Sequence, residues 1–537
     1  MLLHSRSEKM EASFWKITLW FFVLASIFSV TSLLVGYYWL NTIVILAFSI
    51  ILATLITLKF GFGEKVGKKA LILCALLAFL LAFPLLFQHP FFDASSDAAT
   101  IINLRILGEK IPLDYEPYSG ISFSYQSAFS IFVKSFASIF YFIPDYLVYW
   151  ILGLIVGCLE LIVFYVFSKR FFKSEAVAEY SVILLFGTKM LFLNAYFGDH
   201  ALNLGVSLLL LAVLAVHEDS KLKFLFFPAL LVIHPGAAML FFIVLISYAL
   251  AFRQKARQAL EILPFAILAV PAFIATYLPL ASQVFSPSGN AGFASLNDLA
   301  RQAILLPQAL GLPVFALLLL FLFASRKKIP KSREFCFLKY AAVLSLIAYF
   351  ALSIKQAPFT GKFFELITVV GIIATAVFIA ENKTSKKFGI KLQVLVLAFC
   401  LLGFFASAQL NDLRKGTKMN SEEYWFALEF KKFDPELKET LFLTSRNSKI
   451  AEYSNKIPFD VLGEYFIAAN QKQVRNDKAW AEAVSRRELR KKIIAEKCVE
   501  CVEGINVDYA VVERGVFPEL SWPKVLDYGK FAVFEKT

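Results

Sequence analysis

The fold is decided by the stretch ALILCALLAFLLAFPLLFQHPFFDASSD, which runs from Ala70 to Asp97. It opens with a run of nineteen largely apolar residues, 70–88, and about 20 such residues in a helix cross the roughly 30 Å hydrocarbon layer of a bilayer. A polar segment with two aspartates, four residues apart, follows almost at once. The pattern predicts a membrane-spanning helix that ends at a charged loop.

Composition extends this interpretation to most of the chain. Of the 537 residues, 58% are hydrophobic and only 18% are charged, which is more apolar than a soluble core of this size requires. We therefore predict an α-helical polytopic membrane protein with about thirteen spans. The expected spans are 17–40, 41–59, 70–88, 147–168, 176–196, 201–217, 222–234, 235–252, 260–283, 303–325, 336–354, 363–381 and 389–409. The seventh is short and ends before "HPG", so it also fits a half-helix.

The loops between these spans differ in charge from one side to the other. Alternate loops on one side, the N-terminus included, contain 25 Lys and Arg residues, and the opposite side contains seven. Because basic loops stay in the cytoplasm, this asymmetry predicts an N-in, multi-pass protein of the cell membrane. The first apolar run is too long for a signal peptide and is followed at once by another, so we expect an uncleaved anchor. The Asp-rich loop, 89–125, is then the first outer loop.

A change in composition near residue 411 divides the chain. Residues 1–410 form the multispanning domain, and 411–537 form a polar segment with alternating helix and strand patterns, including "SEEYWFALEFKKF", "TLFLTS" and "VDYAVVER". Thirteen crossings would place this small C-terminal α/β domain outside the cytoplasm. The net charge of +13 lies almost wholly in the membrane domain, so the basic balance indicates membrane anchoring and not nucleic-acid binding.

Six cysteines add little to the functional argument. Four fall in or beside apolar spans, where a thiol is usually an apolar filler. Cys498 and Cys501 form a C-x-x-C motif in the C-terminal domain, which fits a local disulfide, a pair of free thiols or a redox pair. Zinc is disfavoured because this domain contains no histidine and no second cysteine pair.

The two aspartates of the first outer loop are candidates for catalysis. Asp93 and Asp97 are spaced i, i+4, so on a helix their carboxylates share one face. Two like charges at that distance need a cation, an arginine or a shared proton. The alternative is that "DASSD" supplies the cap and first-turn acids of a helix, which the positive helix N-terminus favours.

Histidines collect at the same predicted face of the membrane. Three of the five, His89, His200 and His234, fall at predicted outer ends of spans, and Asp199 precedes His200. Carboxylate and imidazole groups together suit magnesium, manganese or zinc, so Asp199 and His200 are candidate ligands of a divalent metal. The alternative for each histidine is an interfacial side chain that hydrogen-bonds water.

Basic residues on the predicted outer side are exceptions to the rule that Lys and Arg collect in cytoplasmic loops. Lys362, Arg105, Lys110 and Lys189 could bind a phosphate, and the alternative is that each extends its ammonium or guanidinium to the headgroups. Lys189 lies within a predicted span, where an ionisable group is a functional candidate. Glu160 is the acid farthest inside a span, and its role is open at this stage.

This arrangement resembles the GT-C class of membrane glycosyltransferases. In that class an aspartate follows an outward-going helix, a glycine and often a proline come after it, and an extracytoplasmic domain ends the chain; Asp93, Gly108 and Pro112 match this pattern. "YQSAFSIFVKSF", from Tyr125, is similar to the "Y-P-P-x-hydrophobic" start of a helix, with Gln126 and Ser127 in place of the prolines. Lys362 stands where the class often has an arginine near the carrier phosphate.

Several features depart from the pattern. The first two spans look like an added hairpin, and Ala94 replaces the acid of the usual "D-E" pair. The C-terminal domain has "EEYWFALEF" and no "W-W-D-Y-G", which disfavours an oligosaccharyltransferase.

The resemblance implies a glycosyltransferase that moves a hexosyl or pentosyl group from a polyprenyl-phosphate donor. The acceptor would be an extracytoplasmic lipid-linked glycan, protein or wall polymer. Asp93 would be the general base and the reaction would invert the anomeric carbon. Asp97, Asp199 and His200 would orient the acceptor or hold Mg or Mn, and Lys362, with Arg105 or Lys189, would stabilise the departing phosphate. The competing hypotheses are a multispan transporter or lipid flippase, and a noncatalytic scaffold or sensor.

Overall fold

The structure is a computed structural model, and it describes most of the chain. The described residues are 2–35, 39–61, 64, 66–87, 113–115, 118–123, 127–143, 145–188, 200–270, 311, 313–317, 319, 332–354, 362–381, 390–412, 421–436, 438–445, 450–451, 454, 456–460 and 477–536. They fall into two compact units. The first holds nearly all of the helical residues before residue 416, and the second holds a short hairpin within 113–123 and the chain from residue 421 onward.

The first unit is helical. Its helices are α1 (Leu2–Val35), α2 (Trp39–Phe60), α3 (Lys68–Phe87), α4 (Ser127–Ile139), α5 (Asp145–Phe172), α6 (Glu175–Leu185), α7 (His200–His217), α8 (Lys223–Ile233), α9 (Pro235–Ala251), α10 (Ala256–Leu260), α11 (Arg333–Ile354), α12 (Lys362–Glu381) and α13 (Ile390–Asp412). Short 3-10 turns cover Arg253–Lys255 and Leu263–Ala269. Hydroxyl groups inside the helices bond back to the preceding turn: Ser26 Oγ donates to the Phe22 carbonyl at 2.7 Å. A helix in a bilayer must satisfy its polar groups internally in this way.

Four described helical segments are long and apolar enough to cross a membrane. They are Phe14–Thr31, Ile151–Phe172, His200–His217 and Arg333–Ala351. A fifth crossing would join Gly236–Ala251 to Arg253–Ala269, a pair bent by 119°. This bend separates the predicted spans 235–252 and 260–283. The count of thirteen stays a prediction, because much of 271–331 lies outside the described residues.

The seventh predicted span is a short helix, as its length suggested. α8 has 11 residues, contains Pro228, and ends at His234. His234 is at once the C-cap of α8 and the N-cap of α9, and Pro235 occupies the first turn of α9, where a missing N–H costs nothing. The chain therefore reverses at "HPG" between two packed helices.

Ion pairs join the loops that the charge pattern assigns to the cytoplasm. Lys169 Nζ lies 3.1 Å from Glu64, and Arg170 Nε lies 2.5 Å from Glu218. Further pairs at this end are Lys69 with Glu179 (3.0 Å) and Lys223 with Glu261 (3.1 Å). The predicted grouping of these loops at one end of the helices agrees with the structure, and the N-in orientation stays a prediction.

The second unit contains a five-stranded mixed sheet in the order β4-β3-β5-β7-β6. Its strands are β3 (Glu439–Leu443), β4 (Ile457–Pro458), β5 (Tyr509–Glu513), β6 (Lys524–Tyr528) and β7 (Phe531–Glu535), and its helices are α14 (Ser421–Phe433), α15 (Asp477–Glu496) and α16 (Val499–Glu503). β3, β4 and β5 pair in parallel, and β5, β7 and β6 pair antiparallel. One core of buried aliphatic and aromatic side chains includes Leu441, Ile493 and Val512.

Cys498 and Cys501 form a disulfide, one of the alternatives that the C-x-x-C motif allowed, with their Cα atoms 5.3 Å apart. Cys498 is also the N-cap of α16, where its Sγ accepts from the Cys501 N–H at 3.2 Å. The motif thus closes the turn between α15 and α16.

A hairpin from the first outer loop belongs to the second unit. β1 (Leu113–Tyr115) pairs antiparallel with β2 (Tyr118–Phe123), and β2 packs against α15. The sequence indicated a helix earlier in this loop and no strand. The first outer loop therefore contributes to the same compact body as the C-terminal domain.

Candidate functional site

Most of the predicted catalytic and phosphate-binding residues lie outside the described residues. These are Asp93, Asp97, Arg105, Lys189 and Asp199, and the same holds for His89, Gly108 and Lys110. For Lys362 the backbone begins α12, and its side chain is outside the description.

α6 and α12 place the flanks of two predicted phosphate-binding residues at one end of the first unit. The start of α6 and the end of α12 line the same cavity, with Val177 and Tyr180 on α6 and Val377 on α12. The two helices pack against each other. Because the start of one and the end of the other line the same cavity, they run antiparallel, and the end of α6 lies toward the start of α12. Lys189 follows the end of α6 and Lys362 starts α12. The shared phosphate-binding role of these two residues stays a prediction.

Close packing fixes the turn that leads to Lys189. A Cβ added at Gly187 would lie 2.8 Å from Cys400 Sγ on α13, so a larger residue does not fit there. Gly311, with φ +81°, approaches the Gly187 carbonyl from the other side, and both the close approach and the positive φ require glycine. Thr188 Oγ1 donates to the Leu185 carbonyl at 2.7 Å, which closes the end of α6.

His200 is a packed residue at the start of α7. Its side chain is 1% exposed, and the imidazole lies directly on Gly153 of α5, in the space that a side chain at position 153 would occupy. Gly153 thus permits α5 and α7 to approach closely. This packing gives His200 a structural role, and the metal site with Asp199 stays a prediction.

His234 also has a structural role. Its Nδ1 accepts a hydrogen bond from the Ala237 N–H at 3.1 Å, which caps α9. A Cβ at Gly205 of α7 would lie 3.1 Å from His234 Cβ, so His234 faces Gly205. Positions 200 and 205 are about 140° apart around α7. His200 therefore projects from one face of α7, and His234 contacts another face, at Gly205. Within the described ranges, no three His, Cys, Asp or Glu side chains are grouped so as to hold a metal ion.

A cavity of about 540 Å³ lies at the other end of the first unit. It opens between the end of α5, the starts of α6 and α11, and the end of α12, and polar residues line it, among them Ser174, Glu334, Glu381 and Gln393. These positions border the loops that the charge pattern assigns to the cytoplasm. The cavity therefore does not coincide with the predicted catalytic face.

Sequence reasoning missed a row of buried polar residues in the interior of the helices. Glu160 on α5 and Asn203 and Ser207 on α7 are all 0% exposed. Glu160 was noticed as a rare intramembrane acid, whereas Asn203 and Ser207 look unremarkable in an apolar run. Their i, i+4 spacing was the available signal.

The comparisons with known proteins bear on the fold. No protein-family profile and no curated protein sequence matches the chain. Among solved structures, the crystal structure of ArnT from Cupriavidus metallidurans in the apo state is similar, with a TM-score of 0.56 and 13% sequence identity over 87% of this chain and 96% of that chain. This likeness concerns the fold, and it agrees with the resemblance drawn from the sequence: the chain has a GT-C-like fold.

Proposed function

We propose that this protein is a membrane glycosyltransferase that transfers a sugar from a polyprenyl-phosphate donor to an extracytoplasmic acceptor. The observation that carries the proposal is the structural likeness to ArnT, which extends over 87% of this chain and 96% of that one. Apolar helices and an Asp-bearing first loop agree with it. A fold can host several functions, so the residues of the site must carry the chemistry.

In the proposed reaction the acceptor hydroxyl attacks the anomeric carbon of the donor. Asp93 takes the hydroxyl proton as general base, the bond from that carbon to the phosphate oxygen breaks, and polyprenyl phosphate leaves as an anion. Lys362, with Arg105 or Lys189, stabilises the departing phosphate. A single displacement inverts the anomeric configuration. Asp97 and Asp199 orient the acceptor.

In this proposal the second unit binds the acceptor. The hairpin β1–β2 comes from the loop that carries Asp93, and it packs against α15 of the C-terminal domain. An acceptor held by this unit would be tethered to the catalytic loop through about fifteen residues of chain between Asp97 and Leu113. Such tethering lowers the entropic cost of bringing acceptor and base together.

The test is donor turnover by the purified protein in lipid. A panel of radiolabelled polyprenyl-phosphate hexoses and pentoses is offered with membrane extract as the acceptor source. The proposal expects one donor to yield polyprenyl phosphate together with a labelled, acceptor-linked sugar. Failure of every donor, with extract from the native membrane present, would overturn it.

A transporter or lipid flippase is the second candidate function. One observation favours it: Glu160 lies near the middle of the segment Ile151–Phe172 and is fully buried, as polar residues of transport pathways are. Sealed vesicles distinguish the two functions. Movement of lipid or solute without any sugar transfer would favour the transporter, and transfer without flux would favour the glycosyltransferase.

A further inference from the structure

Helices α5 and α7 run parallel and in contact along their length. Near their starts, Gly153 lies against His200. Near their ends, the rings of Phe171 and His217 stack with centroids 4.6 Å apart. The two contacts are 18 residues apart on α5 and 17 residues apart on α7, so equal steps along the two helices reach the same depth to within one residue.

This register places Glu160 opposite Ser207. Glu160 is seven residues after Gly153, and Ser207 is seven residues after His200. Seven residues are nearly two full turns, about 10 Å of rise, so each side chain returns to the face that its helix turns toward the other. Asn203, one turn before Ser207, shares that face. On α5, the buried Gly157 lies between Gly153 and Glu160 on the face toward α7 and brings no side chain into the space.

These polar groups have no hydrogen-bond partner among the residues that the structure describes. Both carboxyl oxygens of Glu160, both amide atoms of Asn203 and the hydroxyl of Ser207 are fully buried and make no hydrogen bond to any described residue. A buried polar group without a partner costs roughly 1–3 kcal/mol, and a buried lone charge costs more. An occupant that supplies the missing interactions would remove that cost.

The donor set selects the kind of occupant. Glu160, Asn203 and Ser207 offer carboxylate, amide and hydroxyl oxygens, which are ligands for hard cations. One carboxylate among the ligands balances a single positive charge, whereas a divalent ion would leave net charge in an apolar interior.

We propose that Glu160, Asn203 and Ser207 form a binding site for a monovalent alkali cation between α5 and α7. The site lies well inside α5 and α7. It is independent of the proposed transfer reaction, and it ties two long helices together at a depth where no ion pair between described residues involves Glu160.

The test is cation-dependent thermal stability of the full-length protein in detergent, with Na⁺, K⁺ or choline at constant ionic strength and pH. A cation that binds only the folded protein raises Tm with concentration. We expect Na⁺ or K⁺, but not choline, to raise Tm. Ser207→Ala should shift the half-maximal concentration upward about ten-fold, since one ligand is lost. Glu160→Gln should abolish the effect.

The matched control is Ser168→Ala. Ser168 is a buried hydroxyl on the same α5, but it is already bonded to Ser181 at 3.0 Å. This variant should keep the cation response of the unmodified protein. If Glu160→Gln fails to fold, direct binding of ²²Na⁺ or ⁸⁶Rb⁺ to the unmodified protein is compared with binding to Ser207→Ala, which should be weaker. Equal Tm values in choline and in both alkali cations would overturn the proposal, as would a cation response unchanged in Glu160→Gln.

Discussion

At the scale of single residues, Asp434 and Lys456 form a buried ion pair in the C-terminal unit. The Lys456 ammonium donates to the carbonyls of Asp434 and Glu436 at 2.8 and 2.6 Å and lies 3.3 Å from the Asp434 carboxylate. Burial disfavours the charged carboxylate and by itself would raise the pKa of Asp434. Hydrogen bonds from the Glu436 N–H, Tyr509 and Lys456 outweigh burial and hold the pKa of Asp434 at about 2. Burial lowers the pKa of Lys456, against the effect of its bonds to Asp434.

This pair predicts a loss of stability in acid. A carboxyl whose pKa is depressed on folding stabilises the protein above its unfolded pKa of 3.8, and the effect disappears as the pH falls through about 2. We expect Asp434→Asn to lower the protection of β5 amides at pH 7 by about 1–2 kcal/mol. Hydrogen exchange of the full-length protein, corrected for intrinsic rates, measures this difference, which should vanish toward pH 2.

Asp527→Asn is the control for that substitution. Asp527 pairs with Arg514 at 2.5 Å, but both side chains are nearly half exposed. Exposed pairs contribute roughly 0–1 kcal/mol, so protection of β5 should change little. Equal losses from the two substitutions at pH 7 would contradict the account of Asp434.

The predicted metal site is tested by chelation. If Asp199 and His200 ligate Mg or Mn, excess chelator should reduce sugar transfer and added metal should restore it. His200 lies packed on Gly153, so His200→Ala would also disturb packing. Asp199→Asn is therefore the sharper variant, and it should abolish the response to added metal. Full transfer in excess chelator would remove the metal from the mechanism.

At the scale of elements, the contact between α5 and α7 depends on one glycine. We expect Gly153→Ala to destabilise the protein by roughly 1–3 kcal/mol, because the new methyl group would occupy the position of the buried His200 ring. Thermal unfolding in detergent measures the change. The double variant Gly153→Ala, His200→Ala should recover part of it, since the two residues are in contact.

Gly504→Ala is the matched control, because a Cβ there would meet a single atom, the Cys501 carbonyl oxygen, at 3.9 Å. Its stability should change by less than about 0.5 kcal/mol. A Gly153→Ala protein as stable as Gly504→Ala would contradict the proposed packing.

Much of the element structure could be predicted from the sequence. Apolar runs gave helix ends within a few residues, as for α5 and α12, because an apolar segment stops where it meets charged loops. Period-two patterns located β3 and β5 in the C-terminal unit. The hairpin β1–β2 was missed, because three- and six-residue strands in a polar loop leave no periodic signal.

The contacts of the candidate site could not be predicted in the same way. That Gly153 faces His200 depends on the register between two helices, which hydropathy does not encode. The cap formed by His234 was equally hidden, since a histidine before proline also fits an interfacial residue. The catalytic roles of Asp93 and Asp97 rest on the class resemblance, and no described contact bears on them.

At the scale of the whole molecule, the topology gives a direct prediction. Glu519→Cys, at an exposed position in the C-terminal unit, should react with a membrane-impermeant maleimide in intact cells. Lys221→Cys, in the loop after α7, should react only after permeabilisation, because the loops joined by the Arg170–Glu218 pair are predicted to be cytoplasmic. Labelling of both positions from the same side would contradict an odd number of crossings between them.

The two units also fit a division of labour in the proposed transfer. The fold of the chain is like that of ArnT, and in the proposed transfer the helical unit would hold the lipid donor and the second unit would bind the acceptor. Removal of the hairpin contact with α15 should then impair acceptor use more than donor binding.

The central claim is that Asp93 activates an acceptor for transfer from a lipid-linked sugar, and single-turnover release of polyprenyl phosphate tests it most directly. Asp93→Asn, Asp97→Asn and the control Asp219→Asn, in the loop after α7, are compared in lipid with the same donor and acceptor. The account predicts that release falls by at least about 10²-fold in Asp93→Asn and stays near the unmodified rate in Asp219→Asn, with all proteins equally folded. Release at the unmodified rate in Asp93→Asn would contradict it.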